Sequence, residues 1–305
     1  MVTDFETTIF FLLTGRNVMR VILMGSAERK GVLEAVERFR LEIAKYCTIV
    51  AEDFHGQQAM DGVDADLAIV FGGDGSILQA AAQMRNRQRP VISVNLGTLG
   101  FLAAFTPEML LPTLRDYDVL SLPCEEYLML TCQLWRDHQI IEEKTALNEV
   151  AVQSGPPYRI LEVELSVDDE RITTYHCDGL ILSTPVGSTA RNLSAGGPIL
   201  RSDLDAVVIS PISPHTLSHR PVVDSADHVY KLRIYPDNVP VMVDGRCMAK
   251  AVAGDRILVK RAPERFKMIK LPGFSYYRTL REKLGWSGRL ESLGNSNPER
   301  NTATQ

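Results

Sequence analysis

Four short apolar runs in the first third of the chain, residues 19–24, 48–51, 67–71 and 91–94, are rich in Val, Ile and Leu and lack polar alternation. A strand with one wet face alternates apolar and polar residues. A continuous apolar run implies cover on both faces, the condition of a parallel sheet flanked by helices. The intervening segments have the spacing such crossovers need. Val32, Val36, Phe39 and Ile43 fall on one helical face, with Glu34, Arg38 and Lys45 off it. A second helix is predicted to open at Ser76 and a third at Thr106, with Pro107 at its first position. Residues 19–123 therefore read as an α/β domain with a parallel sheet.

After Pro123 the rhythm becomes extended. Segments 126–135, 146–153, 160–167, 171–183, 207–211, 229–235, 239–243 and 256–260 read as strands, with Asp168-Asp169 as a hairpin turn. Residues 124–273 are thus predicted to form an all-β domain, a sandwich or layered sheet. Helical character returns over 274–286, a C-terminal helix expected to pack back on the first domain. The polar stretch 287–305 reads as a flexible tail. Residues 1–18 are expected to be flexible and outside the fold, or to reflect an early start codon, because the first strand begins at Met19.

With 45% apolar and 23% charged residues the chain has a globular balance, and its net charge of −5 argues against a nucleic-acid binder or a membrane-surface binder. An anionic ligand then needs a local site. The five cysteines, Cys47, Cys124, Cys132, Cys177 and Cys247, form no Cys-x-x-Cys pair and read as reduced core thiols of a cytoplasmic protein. The apolar run 9–13 is too short to span a bilayer, and the acidic residues before it do not suit an export signal.

Gly72-Gly73-Asp74-Gly75 follows the apolar run 67–71 and leads straight into a predicted helix. Glycines let backbone N–H groups approach a phosphate, and a helix N-terminus favours negative charge. Asp74 is out of place in a pure anion site, because a carboxylate repels phosphate unless it takes a proton from a hydroxyl or meets a metal ion. The alternatives are a general base and a helix cap. Pro185-Val186-Gly187-Ser188-Thr189-Ala190, followed by Ser194-Ala195-Gly196-Gly197-Pro198, concentrates small residues and hydroxyls after an apolar strand. Such a run either offers amides and hydroxyls to a ribose, amide or phosphate, or permits tight packing.

These two motifs, together with Asn148-Glu149 and Pro211-Ile212-Ser213-Pro214-His215-Thr216-Leu217-Ser218, occur in the order found in the NAD kinase family, which the chain resembles over residues 19–286. Kinases of diacylglycerol and sphingosine share the glycine-aspartate loop but not the Gly187-Ser188-Thr189-Ala190 run. A lipid kinase and a non-catalytic nucleotide sensor remain the rival readings.

The resemblance implies ATP-dependent phosphorylation of the 2′-hydroxyl of the adenosine ribose of NAD, with Asp74 as general base and Mg2+ or another divalent cation delivered with ATP. It implies no resident metal and a homo-oligomer, dimer or tetramer. For NAD it implies the loop glycines Gly72, Gly73 and Gly75, Asn148 and Glu149 on the adenosine half, and Asp178 with Ala190 at the nicotinamide end. Gly187, Ser188 and Thr189, then Asn192, Leu193 and Ser194, belong to the implied pocket, as do Arg159, His176 and Arg246. Phe101 reads as core by default, although the family places its segment near the site. His215 reads as structural. Three residues depart from the family pattern: Arg191 where Tyr is usual, Val186 where Thr is usual, and Arg246 where Gln is common. Arg191 is expected to stack its guanidinium over the bound dinucleotide, the alternatives being a pair with a phosphate or with a carboxylate such as Asp178, or a position facing solvent.

Overall fold

The computed structural model describes residues 19–97, 100–102, 105–156, 160–270 and 275–286. The expectations for the two chain ends and for Arg159 lie outside these residues.

Strand β1 (Met19–Gly25) leads to helix α1 (Val32–Ile43), then β2 (Cys47–Asp53), β3 (Leu67–Phe71), α2 (Asp74–Met84), β4 (Pro90–Val94) and α3 (Pro107–Asp116). The first sheet has the order β2-β1-β3-β4-β18-β5, where β5 is Cys124–Tyr127 and β18 is Phe266–Ile269. Pairing is parallel from β2 through β18, and β5 is antiparallel to β18. Side-chain alternation sorts the central strands into two cores. Val21, Leu23, Leu67, Ile69 and Phe71 meet Val32, Val36, Phe39 and Ile43 of α1 and Leu110 and Leu114 of α3. Ile22, Met24, Ala68 and Val70 meet Ile77, Ala80, Ala81 and Met84 of α2 on the other face. That second core continues into Leu147 and Val186, so the two halves of the chain share it.

The remaining strands are β6 (Leu130–Arg136), β7 (Gln139–Ala146), β8 (Glu149–Gln153), β9 (Leu161–Val167), β10 (Glu170–Cys177), β11 (Gly179–Ser183), β12 (Ala206–Ile212), β13 (Val222–Ser225), β14 (Tyr230–Ile234), β15 (Val239–Val243), β16 (Arg246–Ala251) and β17 (Arg256–Arg261). They form two six-stranded antiparallel sheets, β10-β9-β14-β17-β6-β7 and β13-β12-β11-β8-β15-β16, packed over one apolar interior. The expected α/β plus β architecture is therefore present. Asp168 and Asp169 both have positive φ, 47° and 73°, as the turn joining β9 to β10 requires.

Several boundaries differ from expectation. Strand β2 is an edge strand with Val50 exposed, not covered on both faces. Helix α2 begins at Asp74, two residues before Ser76. The segment 126–135 is two strands, and its first part, with β18, completes the first sheet, so that sheet crosses the boundary expected after residue 123. The segment 171–183 breaks at Asp178 into strands of different sheets, and 146–153 breaks between Ala146 and Glu149. Cys47, Cys132 and Cys177 are buried thiols as expected, but Cys124 and Cys247 are exposed. The C-terminal helix α4 (Tyr276–Lys283) sends the Tyr276 hydroxyl to the Leu200 carbonyl, 2.8 Å away, so it touches the segment after the small-residue run.

Candidate active site

The site assembles where β3 ends. Gly72 has φ of +131°, and a Cβ there would lie 2.2 Å from Ser76 Oγ. A Cβ on Gly73 would lie 2.3 Å from Arg29 Nη1, so the second glycine lets a guanidinium rest on the loop. Gly73 is the N-cap of α2 and Asp74 stands in its first turn. Asp74 Oδ2 accepts the Phe101 N–H at 2.9 Å and Oδ1 accepts the Leu102 N–H at 3.1 Å. A Cβ on Gly100 would sit 2.1 Å from Asp74 Oδ1, so that glycine is required for the segment to close on the carboxylate. Gly75 is exposed at the helix start, and the buried Ser76 hydroxyl has no hydrogen-bond partner.

Arg29 was not singled out in the sequence. It lies in the β1–α1 loop, and β1 pairs in parallel with β3, so both loops emerge at the carboxyl ends of adjacent strands, where open α/β sheets hold ligands. That topology was the available signal. Phe101 is half-buried and, with Leu102, Tyr127, Pro185, Val186 and Thr189, lines a small cavity beside the Asp74 segment. Leu102, not Phe101, is the core residue of the pair.

The second wall comes from the β7–β8 connection. Asp244 accepts N–H bonds from Leu147 at 2.8 Å, Asn148 at 2.7 Å and Glu149 at 3.1 Å, holding that turn rigid. The enclosure of this carboxylate pushes it up to about 6, against those three amides and the Arg246 charge. Glu149 is buried, and burial pushes its carboxyl up to about 7; Asp244 adds to the rise and Arg191 opposes it. Arg191 Nε lies 3.7 Å from Glu149 Oε1. Glu149 Oε2 and Arg191 Nη1 are both buried without hydrogen-bond partners. Arg191 therefore pairs with a carboxylate, and that carboxylate is Glu149 rather than Asp178. Arg246 donates to Gln79 Oε1 at 3.1 Å, and Gln79 donates to the Gly25 carbonyl at 3.1 Å, tying β16 to α2 and β1. Gln79, like Arg29, was not anticipated.

The small-residue run separates into framework and wall. Thr184 Oγ1 donates to the Leu147 carbonyl at 2.6 Å and accepts the Gly187 N–H at 3.0 Å. A Cβ on Gly187 would lie 2.1 Å from the Asn148 carbonyl oxygen, so this glycine permits the contact between the run and the β7–β8 turn. Ser188 and Asn192 are fully buried, and protein groups occupy their polar atoms. Ser188 Oγ donates to the Pro185 carbonyl at 2.5 Å, and Asn192 Nδ2 donates to the Ser188 and Pro198 carbonyls at 3.1 and 3.0 Å. They brace the wall. Thr189, Ala190, Arg191 and Leu193 are half-buried and Ser194 is exposed.

His176 and Asp178 are exposed and lie elsewhere. In the β11–β8 register Gly179 pairs with Gln153 and Ser183 with Glu149, so Asp178 sits a full strand from Glu149, about 17 Å at roughly 3.4 Å per residue. Within one chain these two residues do not join the Asp74–Glu149 cluster. A cavity of about 640 Å³ on the second sheet, lined by Trp135, Glu164, Lys231, Arg233 and Arg256 among others, contains no predicted site residue. Among the described residues no group of three or more His, Cys, Asp or Glu side chains could hold a metal ion, and no helix is long and apolar enough to cross a membrane.

Comparison with known proteins matches residues 22–117 to the ATP-NAD kinase N-terminal domain and residues 147–271 to the ATP-NAD kinase C-terminal domain. An NAD kinase of Rhodopirellula baltica is 49% identical over 273 residues, 89% of this chain and 88% of the relative. One from Cellvibrio japonicus is 38% identical over 82% of this chain and 86% of the relative. Among solved structures, yeast NADH kinase complexed with NADH superposes with a TM-score of 0.79 at 24% identity over 89% of both chains. An NAD kinase from Archaeoglobus fulgidus in complex with ATP gives 0.67 at 24% identity over 88% of this chain and 99% of that one.

Proposed function

Because the chain belongs to the NAD kinase family, we propose that it transfers the γ-phosphoryl group of ATP to the 2′-hydroxyl of the adenosine ribose of NAD, with Asp74 as the general base. The observation that carries this reading is the setting of Asp74, a carboxylate in a glycine loop at a helix start, held by the Phe101 and Leu102 amides and next to the glycine on which the Arg29 guanidinium rests. As the 2′-oxygen forms its bond to the γ-phosphorus, its proton passes to Asp74. The bond from the γ-phosphorus to its bridging oxygen breaks, and ADP leaves. Such a transfer needs little covalent help from protein, so alignment and neutralisation of charge dominate. Arg29 and the loop amides meet the phosphates, and a divalent cation arriving on ATP supplies further positive charge. Glu149, with Oε2 unpartnered, accepts a ribose hydroxyl, and Asn148 borders the same sugar.

A homo-oligomer belongs to the same proposal: His176 and Asp178, distant from Glu149 within one chain, would then reach the site of a neighbouring copy. The lipid-kinase and sensor readings lose ground to the family assignment. Incubation of the protein with ATP, Mg2+ and NAD should yield NADP, detected by a dehydrogenase that accepts NADP alone. Parallel reactions with polyphosphate and with NADH define donor and acceptor. ATP consumed without NADP formed would overturn the proposal.

A further inference from the structure

Lys270 follows β18 directly, and its backbone N–H donates to the Pro123 carbonyl at 3.0 Å. Its side chain is only 5% exposed, which is uncommon for lysine and costly unless the ammonium has a task or a partner. Nζ donates to the Leu102 carbonyl at 3.3 Å, lies 3.9 Å from Glu125 Oε2 and stands 5.9 Å from the centre of the Tyr127 ring. Leu102 is also one of the two residues whose N–H groups donate to Asp74. One residue therefore connects a buried cation to the carboxylate, gripped at its carbonyl by Lys270 and donating its amide to Asp74. The peptide group between residues 101 and 102 supplies that amide, and the neighbouring Gly100 closes on the same carboxylate.

We propose that Lys270 is a positioning residue for phosphoryl transfer: its ammonium pins Leu102, keeps the two backbone donors on Asp74, and holds that carboxylate aimed. The assignment rests on Asp74 being the base. The ammonium does not touch substrate; it acts through the 101–102 amides and through its charge.

The environment also gives the device a pH range. Burial pushes the Lys270 ammonium down to about 8, while the charges of Glu125 on β5 and Asp74 on α2 hold it up. Among the described residues, these carboxylates and the Tyr127 ring are titratable groups that face it. Turnover is then supported while Lys270 is charged and declines as pH rises through about 8. Folding responds in the opposite sense. With the folded value below the usual 10.5, the unfolded chain binds more protons between the two, so the contribution of this group to stability rises with pH over that window. An alkaline loss of turnover caused by Lys270 is therefore not a loss of fold.

The test is kcat and KM for NAD and for ATP from pH 6 to 10 in the full chain, for wild type, Lys270→Arg and Lys270→Met, with Asp74→Asn alongside and melting temperatures for each. Wild type should show an alkaline limb in kcat. Lys270→Arg should keep most of kcat and lose the limb, because guanidinium stays charged. Lys270→Met should lose about 10²-fold in kcat, the scale of a misplaced catalytic group, with both KM values within twofold. A wild-type profile flat through pH 10, a limb that persists in Lys270→Arg, or a Lys270→Met kcat within twofold of wild type overturns the assignment while leaving Asp74 in place. Near-normal turnover of Asp74→Asn overturns both.

Discussion

Replacing Arg191 by alanine or tyrosine should change NAD binding in a pH-dependent way, because the guanidinium acts on Glu149. Two unit charges at the observed 3.7 Å attract by roughly 4 kcal/mol in an effective dielectric near 20. Arg191 is 37% exposed, and solvent screening reduces this to about 1 to 1.5 kcal/mol. That is about a five- to tenfold change in the proton affinity of Glu149. In the wild type Glu149 sits at about 7, so near neutrality about half the molecules carry the carboxylate. Without Arg191 only a tenth or so would, and a neutral carboxyl is the weaker acceptor for a ribose hydroxyl. The KM for NAD should therefore rise about fivefold at pH 6.5 to 7 in both variants and return towards the wild-type value by pH 8.5. The assay is initial rate against NAD at fixed ionic strength and saturating ATP. An increase of equal size at both pH values would mean that Arg191 binds the ligand directly, refuting the route through Glu149. No change at either pH would remove Arg191 from the site altogether. A stacked arginine, with tyrosine restoring the wall, is the outcome this geometry argues against.

Further outcomes follow from single contacts. Gly187→Ala places a methyl 2.1 Å from the Asn148 carbonyl oxygen, so it should cost about 1 to 3 kcal/mol in denaturant unfolding and raise the KM for NAD; an unchanged midpoint would show that the turn gives way freely. Arg29→Ala removes the guanidinium resting on Gly73 and should raise the KM for ATP about tenfold, the scale of one charge-assisted hydrogen bond, with little effect on NAD; equal KM values would deny Arg29 a phosphate. Light scattering at micromolar concentration should give a dimer or larger, and a monomer would contradict a site completed by a neighbouring copy.

The parts of this molecule that were legible in its sequence are those where one physical demand dominates. Leu67–Phe71 is apolar throughout because helices cover both faces, and Asp168-Asp169 read as a turn because two successive left-handed residues suit few other pairs. Strand β7 was missed because both of its faces are largely open to solvent, and Glu142, Glu143 and Lys144 in succession leave no apolar period. Cys124–Tyr127 merged with the following strand because nothing in its local composition says that it pairs with β18, some 140 residues away in the chain. The site divides in the same way. Asp74 was readable from its glycines. Arg29, Gln79 and Lys270 were not, since each is brought to the site by sheet order and none sits in a motif of its own. The roles of Ser188 and Asn192 were confounded by composition, because hydroxyls and amides that brace a wall look the same in sequence as those that line it.

The central claim, that Asp74 takes the proton of the attacking hydroxyl, is tested most directly by the single-turnover rate of NADP formation in Asp74→Asn, with NAD affinity measured independently by calorimetry. Asparagine keeps the shape and can still accept the Phe101 or Leu102 N–H. The variant should keep a fold and an NAD affinity close to wild type, with a rate lower by about 10² to 10⁴. A rate within a few fold of wild type, with NAD bound equally well, would contradict it.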